Sequence, residues 1–134
     1  IKDRNPIWNF SSKKDGFWGT NGYVNVAFYP TYESGKENEF NINDFDLFFD
    51  KVSADNKVLY LRLNHSIPKV ENFNYDSNTP FLTSFIFDSS KLEEKFPELE
   101  TFGTANDSIR AQITALGLNG EDLKSPEFVI KLKK

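Results

Sequence analysis

Ile109-Arg-Ala-Gln-Ile-Thr-Ala115 and, after a break, Phe128-Val-Ile-Lys-Leu132 are the stretches whose reading decides the fold. In the first, Ile109, Ala111, Ile113 and Ala115 alternate with Arg110, Gln112 and Thr114. In the second, Phe128, Ile130 and Leu132 alternate with Val129, Lys131 and Lys133. A period of two is that of a strand with one buried face and one wet face. Gly117, Asn119 and Gly120 lie in the connection of roughly ten residues, so the pattern predicts a hairpin-like pair. Two such strands point to an all-β protein built as an antiparallel two-sheet sandwich.

Working outward, residues 23–29 predict a strand with Val24, Val26 and Phe28 on one face and Asn25 and Ala27 on the other. Pro30 ends it, because proline cannot donate to the ladder. Residues 45–52 and 57–63 predict a hairpin around Ala54-Asp55-Asn56. In its second strand Leu59, Leu61 and Leu63 share one face, and Val58, Tyr60 and Arg62 the other. Ile7, Trp8 and Phe10 suggest a short first strand. The segment 15–22, with three glycines and an Asn-Gly, predicts a tight turn. Residues 66–80 form a long polar connection, read as a crossing between sheets or a functional loop. Another strand is expected at 81–87. Ser90 and Glu93 have capping-box spacing, which predicts a short helix over 91–96 stopped by Pro97. The total is about seven strands in a single domain, 1–134.

The chain has 134 residues, enough for one domain with a core. Aromatic residues make up 16%, with 14 Phe and 5 Tyr, so rings carry much of the apolar surface. Rings and branched aliphatics fit a pleated surface. The formal charge is -4, and basic residues cluster only at Lys13–Lys14 and at Lys131, Lys133 and Lys134. Nucleic-acid binding needs a basic face that displaces counterions, and none is expected here. There is no cysteine, which rules out disulfides, thiolate metal sites and a cysteine nucleophile. Secreted bacterial proteins commonly avoid cysteine, whereas small animal ectodomains commonly rely on it. The chain begins at Ile1 and contains no Met, which reads as a processed protein or an excised domain with neighbouring domains. No apolar run approaches the ~20 residues of a membrane span.

Val24-Asn-Val26-Ala-Phe28-Tyr29-Pro30 resembles the second strand of fibronectin type III and related immunoglobulin-like domains. The run 109–115, Asn119-Gly120, Ser125-Pro126 and 128–132 together resemble that family's last two strands. The resemblance covers about 40 residues and implies an immunoglobulin-like sandwich of about seven strands. Phe28 stands where the family commonly has Trp, and Ile109 where it has a tyrosine that bonds back to the chain. No activity travels with this fold.

His65 is the only histidine, and no Gly-x-Ser-x-Gly elbow accompanies it, so a Ser–His–Asp hydrolase is not expected. It reads as a strand-end surface or hydrogen-bonded histidine. Zinc needs several His or Cys ligands. Asp44, Asp46 and Asp50 are weak calcium candidates. Calcium takes six to eight oxygens, but EF-hand spacing is missing. Their shared parity fits a solvated strand face. No cofactor is expected. The 20 acidic residues contain no marked glycosidase pair.

The aromatics carry more information. Trp8, Phe17, Trp18, Tyr23, Tyr29 and Tyr32 crowd the first quarter of the chain. Trp8 and Phe17 read as core. Trp18, Tyr29 and Tyr32 are candidate ligand-binding rings, as is Tyr75 among the amide side chains of 70–78. These features predict a non-catalytic, extracellular or cell-surface module with a protein or glycan ligand at its loop ends. The alternative is a carbohydrate-binding module that stacks sugars on those rings.

Overall fold

The computed structural model describes residues 6–13, 16–20, 22–33, 45–65, 73–75 and 80–132, with backbone alone at 32–33 and 73–75. Its strands are β1 (Asn9–Phe10), β2 (Trp18–Thr20), β3 (Tyr23–Tyr29), β4 (Thr31–Glu33), β5 (Phe45–Val52) and β6 (Val58–His65). They continue with β7 (Phe73–Tyr75), β8 (Phe81–Ile86), β9 (Ser108–Leu116), β10 (Asp122–Lys124) and β11 (Phe128–Lys131). The single α-helix among the described residues is α1 (Ser89–Lys95). The all-β class therefore holds, with eleven strands among the described residues in place of about seven.

The main sheet runs β1-β3-β2-β11-β9-β6-β5, with β8 on the other side of β3 and β10 beside β9. Pairing is mixed, which corrects the antiparallel expectation. β9 and β11 do pair antiparallel, Ala111 opposite Phe128 and Ile109 opposite Ile130. β5 and β6 form the expected hairpin. But β6 lies parallel to β9, Leu59 beside Ala111 and Leu61 beside Ile113. β2 meets β11 in parallel at Gly19 and Ile130. Parallel neighbours need a long crossover, and residues 66–107 supply it between β6 and β9.

The sheet closes over on itself. Phe28 on β3 and Phe45 on β5 are five strand steps apart along the path, ~24 Å in a flat sheet. Their ring centroids are 5.0 Å apart. Phe49 on β5 likewise meets Phe87, just after β8, at 5.6 Å. The fold-over gives the inward faces a common interior. Val24, Val26 and Phe28 of β3, Leu59, Leu61 and Leu63 of β6, and Ile109, Ala111, Ile113 and Ala115 of β9 are all fully buried. Removing such side chains from water is the main stabilising contribution, ~1.5–3 kcal/mol each for the larger ones. Phe17 is buried against Phe10 and Phe128, as expected for core. Trp8 is only half-buried.

The tight turn expected over 15–22 is confined to its end: Trp18–Thr20 form β2, and Gly22, at φ +85°, turns the chain into β3. Gly19 faces inward, where a Cβ would stand 2.9 Å from both γ-carbons of Ile130. Glycine is required there by close approach, not by turn conformation. Ser125, also buried, ties the connection between β10 and β11 to β9. Its Oγ accepts from the Ile113 N–H at 2.9 Å and donates to the Pro126 carbonyl at 2.9 Å.

Two further expectations are corrected. The helix begins at Ser89, and Asp88 rather than Ser90 is its N-cap, its carboxylate accepting from the Ser90 N–H at 3.0 Å. In β5, a bulge between Phe49 and Lys51 leaves Asp50 without a cross-strand partner. Asp46 and Asp50 therefore do not line one regular face as their parity implied. Asp44 lies outside the described residues.

Candidate functional site: the outer face of β2, β3 and β8

Alternation puts Val24, Val26 and Phe28 inside and Tyr23, Asn25 and Ala27 on the opposite side of β3, where Ala27 is itself buried beside Gly16. The ladders align these with outward residues of the two neighbours. Thr20, Tyr23 and Ile86 form one row across three strands, and Trp18, Asn25 and Ser84 form the next. Ala27 and Leu82 make the third. Trp18 is 49% exposed, Tyr23 52%, Leu82 69% and Ile86 82%. Trp18 and Tyr23 are diagonal neighbours, ~7–8 Å apart, within reach of one ligand. Four large apolar side chains gathered on one strand face are what a docking surface looks like, whereas scattered ones need no explanation.

Polar groups sit between the rings. The Asn25 amide Nδ2 donates to the Trp18 carbonyl at 3.3 Å. The Ser84 hydroxyl donates to Asn25 Oδ1. This fixes the amide orientation and leaves hydroxyl lone pairs and one amide proton facing solvent. A groove of about 260 Å³ runs here, lined by Gly16, Trp18, Asn25, Leu82 and Ser84. A Cβ on Gly16 would come 2.7 Å from that of Ala27, so glycine keeps the groove floor low. The side chains of this face are rings, aliphatics, hydroxyls and one amide. They can stack and hydrogen-bond, and among the described residues of the face there is no carboxylate or imidazole.

A second groove, about 370 Å³, lies between β5 and α1, with Leu47, Phe49, Ile86, Phe87, Lys91 and Lys95 in its wall. Ile86 borders this second groove.

Of the rings singled out from sequence, Trp18 lies on this face. Tyr29 is half-buried, edge-on to Trp8 at 5.4 Å. It sits four residues along β3 from Asn25, ~14 Å away. Tyr32 and Tyr75 belong to a separate two-stranded ladder, β4 with β7, where Tyr32 pairs Asn74 and Thr31 pairs Tyr75. Their side chains lie outside the description. β7 also replaces part of the loop expected at 66–80. Trp18 stands at the start of β2 rather than in a turn. Sequence reading missed Tyr23, Leu82 and Ile86. The available signal was in 81–86, where Phe81 and Phe85 and also Leu82 and Ile86 are apolar, one set on each side of the strand.

His65 is not at the surface. It is 3% exposed and stacked on Phe45 with centroids 4.1 Å apart. Burial pushes its pKa down to about 4, opposed by a hydrogen bond to the Pro6 carbonyl. The same carbonyl accepts from the Thr31 hydroxyl at 2.6 Å. The imidazole is therefore neutral near pH 7 and ties the amino-terminal segment to the end of β6. Among the described residues no group of three or more acidic, His or Cys side chains is placed to hold a metal ion. Asp46 and Asp50 are exposed on β5. No described helix is long and apolar enough to cross a membrane. A scan of family models and searches of characterised proteins and of solved structures return no match for this chain.

Proposed function

We propose that this chain is a non-catalytic, immunoglobulin-like β-sandwich module of a bacterial surface or secreted protein, serving adhesion or protein interaction outside the cell. The sandwich reading is supported by the way the sheet closes over a common interior, with β3 and β8 opposite β5. The observation that carries the function is the outer face of β2, β3 and β8, where Trp18, Tyr23, Leu82 and Ile86 stand together in water. Tryptophan and tyrosine anchors such as Trp18 and Tyr23 commonly supply most of the binding energy at protein interfaces. The test is adhesion of protein-coated beads to host-cell monolayers and to a panel of purified extracellular-matrix proteins. Trp18→Ser with Tyr23→Ser should lower binding at least ~10-fold, with melting curves checking that the variant stays folded, since about half of each side chain is exposed. Equal binding by wild type and variant, or binding to nothing by the wild type, would overturn the recognition role.

A saccharide ligand is the second reading, favoured by the Asn25 amide and Ser84 hydroxyl beside the Trp18 ring. Sugars present one apolar face and a rim of hydroxyls, which suits a ring flanked by neutral polar groups. It predicts a change in tryptophan emission with at least one member of an oligosaccharide panel, abolished by Trp18→Ser. Silence across the panel removes it.

A further inference from the structure

We propose that two copies of this chain associate through the free edge of β8, in an antiparallel pairing centred on Ser84. The phase of the β3–β8 ladder is set by the Phe87 N–H, which donates to the Gly22 carbonyl at 2.7 Å. Hydrogen-bonded pairs alternate along an antiparallel ladder, so Phe85 and Thr83 bond to β3 as Phe87 does. The N–H and C=O groups of Leu82, Ser84 and Ile86 then point the other way. The far side of β3 gives the same phase: the Ala27 carbonyl accepts from the Ser11 N–H and the Tyr29 carbonyl from the Trp8 N–H. No described strand pairs with the outer edge of β8.

The other end of the sheet path is β5, and the two edges differ. β5 carries Asp46, Asp50, Lys51 and a bulge, all of which hinder a further strand. β8 reads Phe-Leu-Thr-Ser-Phe-Ile, with no charge, no proline and a regular ladder. An edge of that kind is a template for another strand.

Its occupant follows from register. Outward side chains must face outward side chains, and unbonded backbone groups must face unbonded groups. Centring on Ser84 meets both conditions at once. Leu82 then opposes the partner's Ile86, Ser84 opposes the partner's Ser84, and Ile86 opposes the partner's Leu82. These are narrow pairs that exchange two hydrogen bonds each. Leu82 and Ile86, the most exposed large apolar side chains among the described residues, cover one another across the two-fold axis. The match is isologous, which favours a second copy over an unrelated strand. Two exposed side chains and one strand edge per copy fall below the ~1,200 Å² of stable specific interfaces. With -4 on each copy opposing approach, the dimer is weak and strengthens with salt. The pairing uses the edge of β8 and stands whether or not the face binds a ligand. It would join two Trp18 faces into one sheet surface.

The test is sedimentation velocity across a concentration series, with amide hydrogen exchange on the same samples. The expected result is a monomer–dimer equilibrium with Kd of about 10 µM to 1 mM. The Leu82, Ser84 and Ile86 amides should gain protection as concentration rises. Those of Thr83, Phe85 and Phe87 should be protected throughout. Leu82→Lys and Ser84→Pro should each weaken association at least ~10-fold. Proline is tolerated on an edge whose N–H faces solvent, and melting curves check that both variants fold. A monomer up to about 1 mM, a dimer unaffected by both substitutions, or protection gained elsewhere would overturn the proposal. So would a monomer that gains protection at 82, 84 and 86 only on adding a foreign strand peptide.

Discussion

Acidification should unfold this protein partly through one residue. His65 is buried, stacked on Phe45, and its pKa falls from 6.5 to about 4. The unfolded chain takes up a proton on His65 as pH drops through about 6.5, and the folded chain does so only near 4. Unfolding therefore binds a proton between those values, and stability is lost as pH falls. The contribution is fully present above pH 6.5 and gone below about 4. At about 1.4 kcal/mol per tenfold difference in proton affinity, the whole effect is about 3 kcal/mol. His65→Phe keeps a ring on Phe45 and removes the titration, while the Pro6 carbonyl keeps its bond from Thr31. Urea unfolding followed by tryptophan fluorescence at about pH 7.5, 5.5 and 4.5 separates the two proteins. The wild type should lose about 2–3 kcal/mol more than the variant between the extremes, because carboxylate effects are common to both. Parallel losses, or an imidazole NMR signal titrating near its ordinary value, would refute the burial argument.

Gly19→Ala should cost about 1–3 kcal/mol, seen as a lower melting temperature, because its Cβ must displace Ile130 and approach the Tyr23 carbonyl to 3.1 Å. A neutral substitution would mean that β2 does not press on β11. Asp88→Ala should cost about 0.5–2 kcal/mol as the loss of an N-cap. Ser90→Ala should cost less, since the Ser90 hydroxyl only donates to the same carboxylate at 2.6 Å. The reverse order would restore the cap to Ser90.

Strands β3, β6 and β9 were legible because each carries a period-two pattern long enough to exclude a helix. What a single strand's pattern cannot carry is its neighbour. β5–β6 and β9–β11 are close in sequence and pair antiparallel as expected. β6–β9 is parallel across residues 66–107, and nothing in Leu59-Tyr-Leu61 distinguishes that from an antiparallel partner. The bulge at Asp50 was hidden for the same reason, since an extra residue shows only against the opposite strand. Trp18 was singled out but misplaced. Three nearby glycines suggest a turn, and only the contact between Gly19 and Ile130 reveals that one of them serves packing. Tyr23 was obscured by its position at a strand start, where exposure is decided by what crosses above it.

The most direct measurement is a nuclear Overhauser spectrum of the isotope-labelled protein, read at Trp18 and Phe28. The fold-over requires the Phe28 ring to contact Phe45 and Phe81, and the Trp18 indole to contact only neighbours on its own outer face, such as Asn25 and Leu82. Cross-peaks from the Trp18 indole to Leu59, Leu61 or Ile113 would put that ring in the interior and leave the outer face without its anchor.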